Sequence, residues 1–207
     1  MPLPEATHGL CHTGGVERLA ASDAGHGLES LAPIVTGSPP RAFEELKMAT
    51  WAEFAEAAPD LAAEGARLLH RGDIEEGLLA TVRGDDLPRI HPIWIRVVDG
   101  VFYAFILKSA KRTDLERDGR YALHSHQDPA KPSEFSVRGR AGLVAAGPVY
   151  DRVASEWYFE VDDSYRLFEF DIEAAILGVR GDPDEWPPRY TSWKAGQTER
   201  SENRSER

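Results

Sequence analysis

A series of short apolar segments separated by turn residues constrains the fold of this chain more than any other feature of its sequence. Asp99-Gly100 separates two of these segments and is typical of a tight hairpin turn. A parallel crossover needs about a dozen residues, for which the spacing leaves little room. The pattern therefore predicts a mainly β (α+β) fold, a six-stranded antiparallel barrel with flanking helices. The predicted strands are residues 77–83, 88–98, 101–107, 121–126, 134–146 and 165–172, followed by a short apolar run at 174–179.

Helix signals flank and interrupt the predicted strands. Thr50 and Glu53 have the spacing of a capping box. Pro59 is suited both to end a first helix and to occupy the first position of a second. Pro148 begins a later helix in the same way. The predicted helices are residues 51–58, 59–70, 109–119 and 148–159.

Composition divides the chain into three parts. Residues 1–47 are rich in Gly, Pro, Ala, Ser and Thr without helical or strand periodicity, so we predict a disordered N-terminal extension. Residues 48–194 contain the predicted helices and strands and form one domain. Residues 195–207 are charged and aperiodic, which predicts a disordered tail.

The charge of the chain argues against two classes of partner. Its formal net charge is −11 over 207 residues, whereas nonspecific nucleic-acid binding and attachment to anionic lipid both need a basic face. The sequence has no apolar run of about 18 residues and no basic-then-apolar leader. Its single cysteine, Cys11, has no internal disulfide partner. We therefore predict a cytoplasmic protein that binds neither nucleic acid nor membranes.

A basic segment at the start of the third predicted helix stands out against this acidic background. Lys108, Lys111 and Arg112 surround Ser109, the predicted N-cap. A helix N-terminus carries partial positive charge, so cations in its first turn are unfavourable unless an anion binds there. The segment predicts a phosphate site, to which Arg89 on the adjacent strand would add a guanidinium group. The alternative is a solvated basic face without a ligand.

Pro92 lies inside the second predicted strand. Because proline cannot donate a hydrogen bond to a sheet ladder, this stretch is expected at an edge, at a bulge or beside a neighbour that is not a strand. A flat ligand would fit on that side of the strand.

Signatures of self-contained catalysis are absent. The sequence has neither a Gly-x-Ser-x-Gly elbow nor a Gly-x-Gly-x-x-Gly dinucleotide fingerprint. We therefore assign no catalytic residue, and an enzyme of this kind would use a bound cofactor. His124 and His126 alternate onto one strand face, and with His91 they give a separate metal-binding hypothesis. No carboxylate or cysteine completes a recognisable ligand spacing there, so no metal site is predicted.

Two tryptophans, Trp186 and Trp193, lie in a C-terminal segment that we predict to be irregular. Large aromatic residues outside regular elements either cap the core or are buried at a partner surface. We favour the partner surface, and therefore a homodimer.

The order of these motifs resembles that of the pyridoxamine 5′-phosphate oxidase superfamily, the flavin-binding split barrels. The resemblance covers about residues 51–193 and implies a flavin-binding split-barrel domain over 48–194. It also implies a homodimer with flavin mononucleotide (FMN) at the subunit interface and the flavin ring against strand residues 90–94. Residues at the positions of Arg89, Ser109 and Lys111 would hold the phosphate. The motifs concerned are the proline-containing strand, Asp99-Gly100, Ser109-x-Lys111, Leu115 and Val137-x-Gly139-x-Ala141.

Departures from the oxidase itself change the expected activity. Trp94 stands where the oxidase has a lysine, Ala110 where it has an arginine and Glu134 where it has a glutamine, and the C-terminal Arg-x-His motif is absent. The resemblance implies an FMN-dependent oxidoreductase that exchanges a hydride with a small-molecule substrate, but not a true pyridoxamine phosphate oxidase. The alternatives are a deazaflavin-dependent reductase and a flavin- or haem-binding module without turnover. The predicted cofactor-binding residues are Arg89, His91, Ile93, Trp94, Ser109, Lys111, Arg112, Glu134 and Trp193.

Overall fold

The computed structural model describes residues 47–127, 132–182 and 185–197, all of which belong to the unit Ala42–Arg207. Apart from residues 47 and 195–197, the segments predicted to be disordered lie outside the described residues. The helices are α1 (Trp51–Ala57), α2 (Pro59–Leu69), α3 (Ala110–Arg117) and α4 (Pro148–Ser155). The strands are β1 (His70–Arg71), β2 (Ile74–Val82), β3 (Pro88–Val98), β4 (Val101–Leu107), β5 (Arg120–His124), β6 (Glu134–Val144), β7 (Tyr165–Val179) and β8 (Arg189–Lys194).

Six of these strands form a closed antiparallel barrel. β2 pairs with β3, and the order continues through β4, β7, β6 and β5. β5 then pairs with β2, which closes the barrel. The short β1 extends the sheet beside β2, and β8 pairs with β7. The predicted mainly β fold, a six-stranded antiparallel barrel with flanking helices, is confirmed.

The hairpin between β3 and β4 shows how strongly local sequence determines these two strands. Asp99 and Gly100 both have positive φ, 49° and 81°, which suits the tight turn that a two-residue hairpin needs. Both strands have the predicted bounds. β7, in contrast, is one strand of 15 residues rather than a strand and a separate apolar run. Glu173 has no partner on β6, because the register shifts there at a bulge between Arg138 and Gly139.

Aromatic side chains fill the barrel and hold α1 against it. Trp51 of α1 stacks on Phe102 of β4, with ring centroids 4.7 Å apart. Phe54, one turn further along α1, is fully buried. The predicted capping box is confirmed, since the Thr50 backbone N–H donates to Glu53 Oε2 at 2.7 Å and the Glu53 N–H donates to Thr50 Oγ1 at 3.3 Å.

The C-terminal strand corrects the prediction for Trp193. The segment predicted to be irregular forms β8, and its Trp193 is only 5 % exposed. The ring packs on Phe54 with centroids 4.9 Å apart. Because the chain itself covers Trp193, the prediction that this side chain lies at a partner surface is wrong. Trp186 is 77 % exposed.

Candidate functional site

The barrel opens between β3 and β4. These two strands pair at only three positions, all beside the hairpin turn, of which Arg96 with Tyr103 is the furthest from it. Beyond that point β3 pairs with β2 and β4 pairs with β7. A groove of about 510 Å³ occupies the space between them. Its lining residues are Pro92, Ile93, Trp94, Phe105, Ile106, Leu107, Lys108, Ser109, Lys111, Trp157, Phe159 and Tyr165.

Aromatic rings form one wall of the groove. Trp157 meets Phe105 edge to face at 5.1 Å, and Phe159 lies 6.0 Å from Trp94. The helix predicted at 148–159 ends at Ser155, and Trp157, which is buried in the core, follows it. The residues that follow leave the helix and cross the opening. An unbroken helical pattern of apolar residues concealed this change of direction, which is why sequence reasoning missed the wall.

The polar end of the groove is the start of α3. Ser109 is the N-cap residue, as predicted, but its hydroxyl group donates to the Leu107 carbonyl oxygen at 2.9 Å instead of capping the helix. Lys111 Nζ donates to the Pro92 carbonyl oxygen at 2.6 Å. Burial lowers the pKa of Lys111. Lys108, which belongs to the basic segment predicted to hold a phosphate but not to the nine predicted cofactor-binding residues, also lines this end.

Two further predicted residues, Arg89 and His91, lie on β3 close to α3. The Arg89 guanidinium group is 3.8 Å from the buried carboxylate of Asp114, which also accepts a hydrogen bond from Thr81 at 2.9 Å. His91 Nε2 is buried without a hydrogen-bond partner among the described residues. Burial lowers the pKa of His91, and the positive charges of Lys111 and Arg89 lower it further against the opposing charge of Asp114. Lys108 and Lys111 place two lysine side chains at this end of the groove.

No protein-family model and no curated protein matches this sequence. Solved structures do resemble it. ChuZ from Campylobacter jejuni has a TM-score of 0.53 at 8% identity, over 72% of this chain and 62% of that one. A haem-binding protein from Mycobacterium smegmatis has a TM-score of 0.49 at 17% identity, over 64% and 57%. HutZ, the haem storage protein of Vibrio cholerae, has a TM-score of 0.47 at 13% identity, over 56% and 90%.

At 8% identity the likeness to ChuZ concerns the architecture alone. The six-stranded barrel is closed, but β3 and β4 part beyond their hairpin, and this separation identifies the type of fold. The fold is a split barrel.

The split barrel brings together four of the predicted residues along the groove and leaves others elsewhere. Ile93, Trp94, Ser109 and Lys111 line the groove. Arg112, on the same helix as Lys111, does not, because its guanidinium group pairs with Glu116 on the next turn at 2.8 Å.

Glu134 and Trp193 also lie away from the groove lining. Glu134 accepts a hydrogen bond from the Tyr190 hydroxyl at 2.7 Å and is 3.6 Å from His124. Its partners come from β8 and β5, neither of which borders the opening between β3 and β4. Trp193 belongs to the core of the split barrel.

The two histidines of the metal hypothesis face different carboxylates. His124 Nε2 lies 3.6 Å from Glu134, whereas His126 Nε2 lies 3.7 Å from Glu76. In the described ranges 47–127, 132–182 and 185–197, no three His, Cys, Asp or Glu side chains are grouped so as to hold a metal ion. Over the same ranges, no helix of the split barrel is long and apolar enough to cross a membrane.

Proposed function

We propose that this protein binds a flavin with a phosphate group, FMN first among them, in the groove between β3 and β4. One observation carries the proposal: an aromatic-walled groove ends at the basic first turn of α3, where Lys108, Ser109 and Lys111 meet. This arrangement matches a planar ring joined to an anion. The groove volume of about 510 Å³ lies within the usual range of about 300–1,000 Å³ for small-molecule sites.

Lys111 indicates where the anionic group of the ligand would bind. A half-buried ammonium group has lost part of its hydration, and its hydrogen-bond partner is a neutral carbonyl group, that of Pro92. A phosphate would supply the missing negative charge, and the unpaired N–H groups at the start of α3 would add donors. Arg89 lies 3.8 Å from the Asp114 carboxylate of α3, and its charge lowers the pKa of His91.

The aromatic wall indicates where the flavin ring would bind. Trp157 and Phe159 face Ile93 and Trp94 across the opening. Stacked or edge-on contacts with a flat ring are favourable on such surfaces. A flavin needs no axial ligand, so the residues present suit it without further donors. Haem is the second candidate because Tyr165 lines the groove, and a tyrosine can ligate haem iron.

A homodimer is part of the proposal. The outer face of the barrel is apolar where Ile90 pairs with Ala80 and Ala80 with Ala122, and Ile90 is 67 % exposed. Contiguous apolar patches larger than a few hundred Å² are rare on monomeric proteins and mark interaction sites. Pro92 and Trp94 belong both to this side of β3 and to the groove lining, so a second copy placed here would also cover the ligand.

Reduction of the bound flavin would make the protein an oxidoreductase that acts on a small-molecule substrate. A bound flavin that neither a nicotinamide donor nor a reduced deazaflavin reduces would make it a binding module. The chain supplies binding and orientation in both cases, while the flavin supplies the hydride chemistry.

Separate titrations of the purified full-length chain with FMN, a deazaflavin cofactor and haemin test the assignment. We expect one FMN per chain, with quenched flavin fluorescence. Binding of haemin in place of FMN would transfer the assignment to haem. Binding of none of the three would remove the proposal.

A further inference from the structure

A second pocket lies on another side of the barrel. It has a volume of about 490 Å³ and is bounded by α1, α2, β1 to β3 and the end of α4. It shares no lining residue with the groove. Its size is again that of a small-molecule site.

The floor of this second pocket is apolar and deepens into the core. Trp51 and Val97 line both the pocket and a narrow pit of about 30 Å³ beneath it. Leu69, Ile95 and Phe102 form the bottom of the pit. The pit has room for the end of a short alkyl chain, and contact with these side chains would shield that chain from water.

The rim of the second pocket is charged, and most of its charges are matched within the protein. Ion pairs hold these side chains in place and leave little net attraction for a ligand. The ion pairs are Arg67 with Glu64 and Glu156 with Arg152, while the Glu75 carboxylate lies 3.5 Å from the His70 imidazole and contacts the Tyr158 hydroxyl group.

Arg96 is the exception on this rim. Its guanidinium group lies over the Tyr158 ring, 4.9 Å from the centroid, and no carboxylate within the described residues pairs with it. The Tyr158 hydroxyl group is itself engaged, because it donates to the Ile95 carbonyl oxygen at 2.7 Å and contacts the Glu75 carboxylate. A stacked guanidinium group keeps its edge N–H donors free for a planar anion.

We propose that the second pocket binds a small amphiphile with one anionic headgroup, which pairs with Arg96 while its short alkyl chain lies on Trp51 and enters the pit. This site is independent of the flavin site. Hexanoate is the probe of choice because it has one carboxylate and an unbranched chain. Hexanamide, of the same shape but uncharged, is the matched control ligand, and hexyl phosphate distinguishes a phosphate headgroup from a carboxylate.

Titration calorimetry of the full-length chain with hexanoate tests whether the ligand's carboxylate pairs with Arg96. Loss of one charge-assisted hydrogen bond lowers affinity roughly ten- to a hundredfold. We expect that loss for hexanamide on the wild type and for hexanoate on Arg96→Gln. Arg83→Gln is the matched control, because Arg83 pairs with Asp85 in the turn before β3 and lies outside the pocket. It is expected to leave affinity unchanged.

A pair of variants on α2 tests whether hexanoate binds in the second pocket. Ala66 lines the pocket and Ala63 does not, and both are exposed on the same helix. Leucine suits a helix nearly as well as alanine, so Ala66→Leu and Ala63→Leu both keep the fold, which far-UV circular dichroism checks. Ala66→Leu is expected to abolish hexanoate binding and Ala63→Leu to preserve it. No binding of hexanoate or hexyl phosphate to the wild type, or equal binding to all variants, would overturn the proposal.

Discussion

The Lys111 ammonium group donates a hydrogen bond of 2.6 Å to the carbonyl oxygen of Pro92, joining the first turn of α3 to β3 across the end of the groove. The two residues in this contact are features that the sequence presented separately. Pro92 pairs in register with Leu78 of β2, whereas on its other side β4 has parted from β3, so its missing N–H leaves no strand there without a donor. Lys111 stands at a helix start, where a cation is unfavourable alone, and the proposed anionic ligand would offset that cost.

The pH dependence of FMN binding tests the protonation of Lys111. Burial lowers the pKa of Lys111 below its ordinary value of 10.5, so the free protein loses this charge at a lower pH than an exposed lysine would. An anion binds the charged form, and its affinity is therefore highest below that pKa and falls as pH rises through it. Titrations with FMN from neutral pH upward should show this fall. Lys111→Arg keeps its charge and should bind FMN with little pH dependence over the same range. An equal fall in affinity in both proteins would show that a group other than Lys111 causes the pH dependence.

Packing against Phe135 determines what a methyl group does at Gly65 of α2. A Cβ atom there would lie 2.5 Å from a carbon of the Phe135 ring, which is fully buried. Alanine gains about 1 kcal/mol of helix propensity over glycine, whereas overpacking costs about 1–3 kcal/mol. Gly65→Ala should therefore lower the free energy of unfolding in urea, and adding Phe135→Leu should restore part of it. A more stable Gly65→Ala protein would show that the ring moves aside easily.

The exposed position of Ile90 provides a test of the homodimer. Ile90→Asp places a charge on the apolar face and should give a monomer in light scattering at micromolar protein. Leu87→Asp is the control, because Leu87 is 55 % exposed in the turn before β3. A wild-type monomer, or an Ile90→Asp dimer as stable as the wild type, would contradict the assembly.

Local signals in the sequence predicted those parts of the fold whose geometry depends on neighbouring residues. Asp99-Gly100 determines a turn by its backbone conformation, and Thr50 with Glu53 determines a helix start by two hydrogen bonds. Ser109 is the N-cap residue of α3, as predicted, although its hydroxyl group does not cap the helix.

Long-range contacts account for what the sequence did not predict. Trp193 is buried because β8 pairs with β7 and carries it onto Phe54, a residue about 140 positions earlier in the chain. Phe159 belongs to the groove because α4 stops at Ser155, although the apolar pattern continues past that residue. Neither outcome follows from periodicity, because each depends on which surface is available for packing.

The measurement that tests the central claim most directly is the affinity of Lys111→Ala for FMN and riboflavin, which differ by the phosphate. Loss of one charge-assisted contact costs about 1.5–3 kcal/mol, so FMN should bind roughly tenfold to over a hundredfold more weakly. Riboflavin should bind the wild type weakly and be almost unaffected by the substitution. Arg112→Ala, which removes a charge from the same helix outside the groove, should leave FMN affinity unchanged. Equal losses for both ligands would mean that Lys111 acts on the ring or the fold, and no loss for either would place the phosphate elsewhere and contradict the proposed site.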